Sequence, residues 1–132
     1  MADLHVAVVT PDGVRFDGTV DSCTAPGYEG EFQVLAGHAD LIAELKIGAI
    51  RLGEKGENRL LATSGGFIEV SKNNVNIIAE TAEFAENIEI DRARQAEERA
   101  RRRLQEQKDT DILRAEMALA RALNRIKVAS RL

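Results

Sequence analysis

The sequence predicts two unlike parts: an antiparallel β-sandwich or barrel of about eight to ten strands in residues 1–83, then an antiparallel two-helix hairpin in residues 84–132. Three observations carry this. All ten glycines and both prolines lie between Pro11 and Gly66, so backbone punctuation is confined to the first part. Within that part, apolar residues alternate in short runs, the period of a half-buried strand. From Asn87 onward the language changes to Ala, Glu, Arg, Leu and Gln, which are good helix formers.

The elements follow in order. Val6 and Val8 alternate in a first strand that stops at Pro11-Asp12-Gly13. Strands are then expected at Val14 to Val20, Asp21 to Thr24, Glu31 to Leu35, Leu41 to Ile47 and Ala49 to Leu52. Breaks fall around Pro26-Gly27, Ala36-Gly37-His38 and Gly53 to Gly56. Leu60 to Ser64, Phe67 to Ser71 and Val75 to Ala79 complete the set, the last two joined in hairpin fashion through Lys72-Asn73-Asn74. Cys23 is read as a buried strand residue, by the burial habit of free cysteine.

Asn87 is suited to cap a helix running from Ile88 to Gln105, and a second start near Asp109 and Thr110 opens a helix to Ala129. With so short a connection the two must form a hairpin. At 100° per residue, Ile90, Ala93, Ala100 and Leu104 share one stripe, as do Ile112, Ala115, Leu119, Ala122, Leu123 and Ile126. The stripes are thin and rich in alanine, so the hairpin is expected to be marginally held down and able to take a second arrangement. Arg92, Arg99 and Arg103 share a face of the first helix, and Arg114, Arg121 and Arg125 a face of the second. Such rows are solvated faces unless an anion sits among them.

Composition excludes several functions. The 132 residues carry a net charge of −4, no Trp, one Tyr and four Phe, which leaves few platforms for stacking bases. Residues 1–83 hold 6 basic and 13 acidic side chains, and residues 84–132 hold 12 basic and 9 acidic. Arg101-Arg102-Arg103 is therefore read as a helix face rather than a nucleic-acid contact. One cysteine with only His5 and His38 makes no zinc site and no nucleophile-base pair, so no enzyme is assembled. No run spans a bilayer and the N-terminus is no cationic leader; the chain is expected to be soluble and cytosolic.

Three segments carry a resemblance. They are Val8-Val9-Thr10-Pro11-Asp12-Gly13, then Gly30-Glu31-Phe32-Gln33-Val34-Leu35-Ala36-Gly37-His38 with Leu41, then Ser64-Gly65-Gly66-Phe67-Ile68-Glu69-Val70, all ahead of an Ala/Arg-rich helical pair. In this order, over essentially the whole chain, the sequence resembles the epsilon subunit of the F-type ATP synthase. Gln33 stands where the family usually has Gly, and Ala36 and Asp40 stand where Pro is usual or common. The resemblance implies a ten-stranded flattened β-sandwich followed by a two-helix hairpin. It implies a central-stalk rotor subunit, non-catalytic, coupling proton-driven rotation to ATP synthesis at the cytoplasmic face of the bacterial plasma membrane. The sandwich would fasten to the gamma subunit and the ring of c subunits. The hairpin, when extended, would reach the alpha and beta subunits and inhibit ATP hydrolysis. Membrane association would run only through the complex.

In Bacillus-type members the folded hairpin is held by one ATP, through a motif of Ile or Leu, Asp, two free positions, Arg and Ala. Two registers compete here: Ile88-Glu89-Ile90-Asp91-Arg92-Ala93, with Glu for Asp, and Ile90-Asp91-Arg92-Ala93-Arg94-Gln95, which loses Ala. Glu98-Arg99-Ala100 and Arg102-Arg103-Leu104 select the first. Carried over residue by residue, Glu83, Ile88, Glu89, Arg92 and Ala93 would surround the base and ribose, while Arg99, Arg121 and Arg125, with Arg92, would approach the phosphates. No metal is strictly required, although magnesium can accompany the nucleotide. Without the resemblance, Glu89 is an acid suited to a helix N-terminal dipole and Arg92 a solvent-facing first-turn residue. Glu89 separates this ATP-gated hairpin from the alternative, a rotor adaptor and inhibitor that binds no nucleotide.

Overall fold

Alternation along the first strand sets inside and outside. In β1 (Leu4–Thr10), Leu4, Val6 and Val8 are buried while His5 and Val9 face out, the two-residue period of a pleated strand with one face on a core. The molecule is seen in a computed structural model that describes residues 3–106 and 111–131 and divides into two units, Met1–Phe84 and Ala85–Leu132.

The first unit continues with β2 (Gly13–Val20), β3 (Ser22–Gly27), β4 (Gly30–Leu35), β5 (Leu41–Leu45), β6 (Gly48–Glu54), β7 (Glu57–Thr63), β8 (Gly66–Ser71), β9 (Asn74–Ala79) and β10 (Ala82–Phe84). These ten strands form one sheet in the order β10-β7-β6-β3-β5-β8-β9-β1-β2, with β4 on β3, curled into a sandwich approaching a barrel. Among the described residues every pairing is antiparallel except that of β1 with β9. Val6, Val8, Ile50, Leu61, Ile68, Val75 and Ile77 meet inside, in one continuous core. Each such side chain contributes about 1.5–3 kcal/mol by leaving water.

The turns explain the register. Ser71 pairs with Asn74 around Lys72 and Asn73, whose φ values of 50° and 64° match a two-residue turn that follows the sheet's twist. Asn73 Oδ1 accepts from the Gly37 amide at 2.7 Å, which ties this turn to the Ala36-Gly37-His38 loop. Gly66 has φ 151°, and a Cβ there would collide with the Ile78 carbonyl oxygen on the paired strand.

Two departures from the sequence reading occur in this unit. Pro26 does not break the chain but lies inside β3, opposite Glu31, and its carbonyl accepts from the Lys46 amide at 2.9 Å. The group proline lacks, an N–H, is not the one used in that bond. A last short strand, β10, follows the expected set and pairs with β7. Phe84 at its end has the Arg59 guanidinium 4.0 Å over its ring and Phe16 edge-on at 6.4 Å, which anchors a strand only three residues long.

In the second unit, Ala85–Asn87 take one 3-10 turn, with the Ile88 amide bonding to the Ala85 carbonyl. Asn87 is thus inside that turn rather than capping a helix at Ile88. The α-helix α1 (Ile90–Glu106) begins two residues later, where the Glu89 carbonyl accepts from the Ala93 amide at 3.0 Å. Its partner α2 (Ile112–Ala129) is capped by Asp111, whose carboxylate accepts from the Arg114 amide at 3.1 Å. The expected start at Asp109 and Thr110 lies outside the described residues.

Cys23 is buried in β3 as expected, and burial pushes its thiol up to about 12 from an ordinary 9.0. Above pH 9 the unfolded chain sheds this proton while the folded chain keeps it. The contribution of the buried thiol to stability is therefore full below that value and is lost as pH rises toward 12. A thiol-reactive dye at pH 8 should label the native protein at least about a hundredfold more slowly than the urea-unfolded chain. Equal labelling rates would show the thiol to be open to solvent.

Candidate functional site in the helical hairpin

Ala93 and Ala100 in α1, and Ala115, Ala122 and Ala129 in α2, stand seven residues apart along their helices and are all buried. The large aliphatics of the expected stripes fare differently. Ile90, Ile112 and Leu123 are exposed, and Leu104, Leu119 and Ile126 only half-buried. The seam between the helices is made of methyl groups, which permit closer approach than leucine would.

Beside that seam α1 and α2 enclose a cleft of about 230 Å³ lined by Ala96, Arg99, Ala100 and Arg103 from one helix and Ala115, Ala118, Arg121, Ala122 and Arg125 from the other. Four arginine residues, two from each helix, therefore line one small cleft. On the outer face of α1 the pattern is the opposite. Arg101 donates to Glu97 at 2.9 Å and Arg102 to Glu98 at 3.0 Å. These exposed i,i+4 pairs, acid preceding base, are worth about 0.3–0.5 kcal/mol each. Among the described residues, Arg99, Arg103 and Arg121 have no such carboxylate partner.

Of the residues named from the sequence, Arg99, Arg121 and Arg125 come together in this cleft. Arg92 is exposed in the first turn of α1, one heptad before Arg99, and is not part of the lining. Ala93 belongs to the seam and Ile88 is buried, whereas Glu89 is exposed at the head of α1. Glu83 belongs to the sandwich, on β10 opposite Ala62. Arg103 was not among the expected site residues. Its signal was present, because it lies one turn beyond Arg99 on the same face. Among the described residues no group of three His, Cys, Asp or Glu side chains is placed to hold a metal ion.

The sandwich carries a second candidate surface. Phe67 pairs with Ile78, Ile78 with Val9 and Val9 with Val14, so four strands present one row of apolar side chains. These four are 55%, 65%, 37% and 62% exposed in that order. An exposed apolar row of this kind marks a surface for a protein partner.

Both units match one family. Residues 3–85 match the beta-sandwich domain of the ATP synthase delta/epsilon chain, and residues 86–130 match its long alpha-helix domain. The chain belongs to the ATP synthase delta/epsilon family. It is 43% identical over 131 residues to the ATP synthase epsilon chain of Bacillus pumilus, covering 99% of this chain and 100% of the relative. It is 47% identical over 133 residues to that of Halalkalibacterium halodurans, with the same coverage. A chain in the cryo-EM structure of the Euglena gracilis mitochondrial ATP synthase, OSCP/F1/c-ring in rotational state 1, superposes with a TM-score of 0.79 at 24% identity, covering 100% of this chain and 83% of the other. At that identity the likeness is one of fold. An epsilon-family chain is a regulatory or structural subunit of ATP synthase rather than a catalytic one. No helix among the described residues is long and apolar enough to cross a membrane.

The seam of this epsilon-family hairpin makes a direct prediction. Ala100→Leu forces a larger side chain into the closest approach of α1 and α2, and should destabilise the hairpin by about 1–3 kcal/mol. Limited proteolysis should then cut the helices sooner while the sandwich resists as before; unchanged helix protection would contradict the seam.

Proposed function

We propose that this chain is the central-stalk epsilon subunit of a bacterial ATP synthase, and that its hairpin inhibits ATP hydrolysis when extended and is held folded by ATP. The observation that carries the regulatory half is the convergence of Arg99, Arg103, Arg121 and Arg125 from both helices on one cleft. A polyanion between the helices relieves their mutual repulsion, each charge-assisted bond adding about 1.5–3 kcal/mol. A ligand that bridges α1 and α2 and binds only the folded hairpin favours it by RT ln(1 + [L]/Kd). In this reading the phosphates enter the arginine cleft, while Ile88, Glu89, Arg92, Ala93 and Glu83 serve the base and ribose. Magnesium travels with the nucleotide and is not held by a protein cage.

The partners follow from the two surfaces. The apolar row of Phe67, Ile78, Val9 and Val14 suits the gamma subunit, and the sandwich also meets the c-subunit ring. The basic helices suit acidic surfaces of the beta subunit, with alpha beside it, when the hairpin extends. The complex would place the chain at the cytoplasmic face of the plasma membrane as a peripheral subunit. A second reading, an adaptor and inhibitor that binds no nucleotide, is favoured by one feature: Glu89 is exposed and its carboxylate is one methylene longer than the family's Asp. Calorimetric titration with ATP that gives no heat selects it.

Two outcomes test the proposal. Truncation after Asn87 should raise the ATPase turnover of the reconstituted complex several-fold, on the order of 3-fold or more, with assembly intact; unchanged hydrolysis removes the inhibitory role. Ile78→Glu places a charge in an exposed row, so the isolated protein should lose less than about 0.5 kcal/mol of stability. Its co-purification with gamma should nonetheless be lost, and retained binding would move the gamma surface elsewhere.

A further inference from the structure

We infer that β10 is a releasable strap: the side chains of Phe16, Phe84 and Arg59 clasp together the two outer edges of the sheet, and opening this clasp turns residues 82–84 into extra tether for the hairpin. The inference rests on the two-state hairpin proposed above and deepens it by naming what restrains the hairpin's root.

The topology leaves one corner of the sandwich without a backbone seam. β10 and β2 stand at opposite ends of the strand order, and among the described residues β10 pairs only with β7 and β2 only with β1. The rings of Phe84 and Phe16 nonetheless approach edge-on, with centroids 6.4 Å apart and an interplanar angle of 69°. Side chains therefore close this corner where a ladder does not, and both rings rest half-buried against the core. From β7, Arg59 sets its guanidinium 4.0 Å over the Phe84 ring. Gly18 supplies the berth for Phe16, since a Cβ there would stand 3.1 Å from the ring.

The rest of the fastening is slight. Three cross-strand pairs join β10 to β7, Ala82 with Thr63, Glu83 with Ala62 and Phe84 with Leu61, against seven between β6 and β7. Ahead of them the Glu80 amide bonds to the Gly65 carbonyl at 3.0 Å, but the Ser64 amide reaches the Thr81 carbonyl only at 3.4 Å, beside an exposed hydroxyl pair of Thr81 and Ser64 at 2.8 Å. Short ladders with solvent-exposed hydrogen bonds mark the elements that open before a fold does as a whole. The second unit begins directly after Phe84, so whatever β10 releases becomes slack at the hairpin's root. Three residues drawn out straight add up to about 10 Å of reach. Slack favours the extended state and a closed clasp the folded one, because a tether limits only the pose that reaches further.

The experiment joins hydrogen exchange on the full chain to hydrolysis by the reconstituted complex. In the wild-type chain the amides of residues 82–84 should exchange at least about tenfold faster than those of β8 and β9. Arg59→Gln removes the cation from the Phe84 ring, and Gly18→Val crowds the Phe16 ring from the other edge. Each should speed exchange in residues 82–84 about tenfold further and leave β8 and β9 as they were. In the complex each should lower ATPase turnover about two- to threefold, and the effect should vanish when residues after Asn87 are removed. Equal protection of β10 and of β8 and β9 in the wild-type chain shows that no strap opens and overturns the inference. Unchanged β10 exchange in both variants overturns it too, as does faster exchange with unchanged turnover, since the clasp then bears on stability alone. A fall in turnover that survives the truncation puts the variants' action outside the hairpin and has the same result. If truncating the wild-type chain leaves hydrolysis unchanged, the inhibitory reading itself fails and takes this inference with it.

Discussion

The distance between α1 and α2 is set by alanine, and the chemistry of the second unit follows from that distance. Ala93, Ala100, Ala115, Ala122 and Ala129 occupy five of the six buried positions of the two helices, Val128 being the sixth, and a leucine in their place would hold the backbones further apart. Close approach brings arginines on two separate helices to the walls of one cleft. The same choice keeps the apolar stabilisation of the hairpin low, because a methyl group removes little surface from water. Larger aliphatics that could have filled the seam, Ile90, Ile112 and Leu123, are exposed instead. The hairpin thus combines an alanine seam of low apolar stabilisation with several arginines lining one cleft.

The sandwich is built on the opposite principle. Its core runs from β1 to β10 and is dominated by valine, leucine and isoleucine, joined by Cys23, Ala25, Ala79 and Ala82, with a two-residue alternation along β1 and β9. Charged groups are kept to its surface, where His5 and Asp17 approach at 2.7 Å across the β1–β2 pair.

Strands were legible wherever one face was buried and the other wet, because the alternation of Val6 and Val8, or Val75 and Ile77, then writes the fold into the sequence. Pro26 was misread as a break because a local rule about proline does not reveal which of its backbone groups the neighbouring strand requires. The strand β10 is three residues long and too short to show a period; it is held by the Arg59 and Phe84 contact, which joins residues far apart in sequence. At the hairpin, periodicity gave the helices and their arginine faces but over-rated the isoleucines and leucines. Their exposure depends on how the helices rotate about their axes once alanines meet. Arg99, Arg121 and Arg125 were named through the family resemblance, whereas Arg103 could be reached by helical geometry alone.

The parallel pairing of β1 with β9 bears on how the protein is made. β1 leaves the ribosome first, yet one of its two neighbours is among the last strands of the sandwich to emerge. Until residues 74–79 are synthesised, only β2 can cover its edge, and the other edge stays open while the greater part of the domain is translated. Joining chain ends so distant costs loop-closure entropy before any contact repays it. The sandwich therefore closes only near the end of its own synthesis. A nascent chain halted before β9 would display an unpaired valine-rich strand to the cell's chaperones.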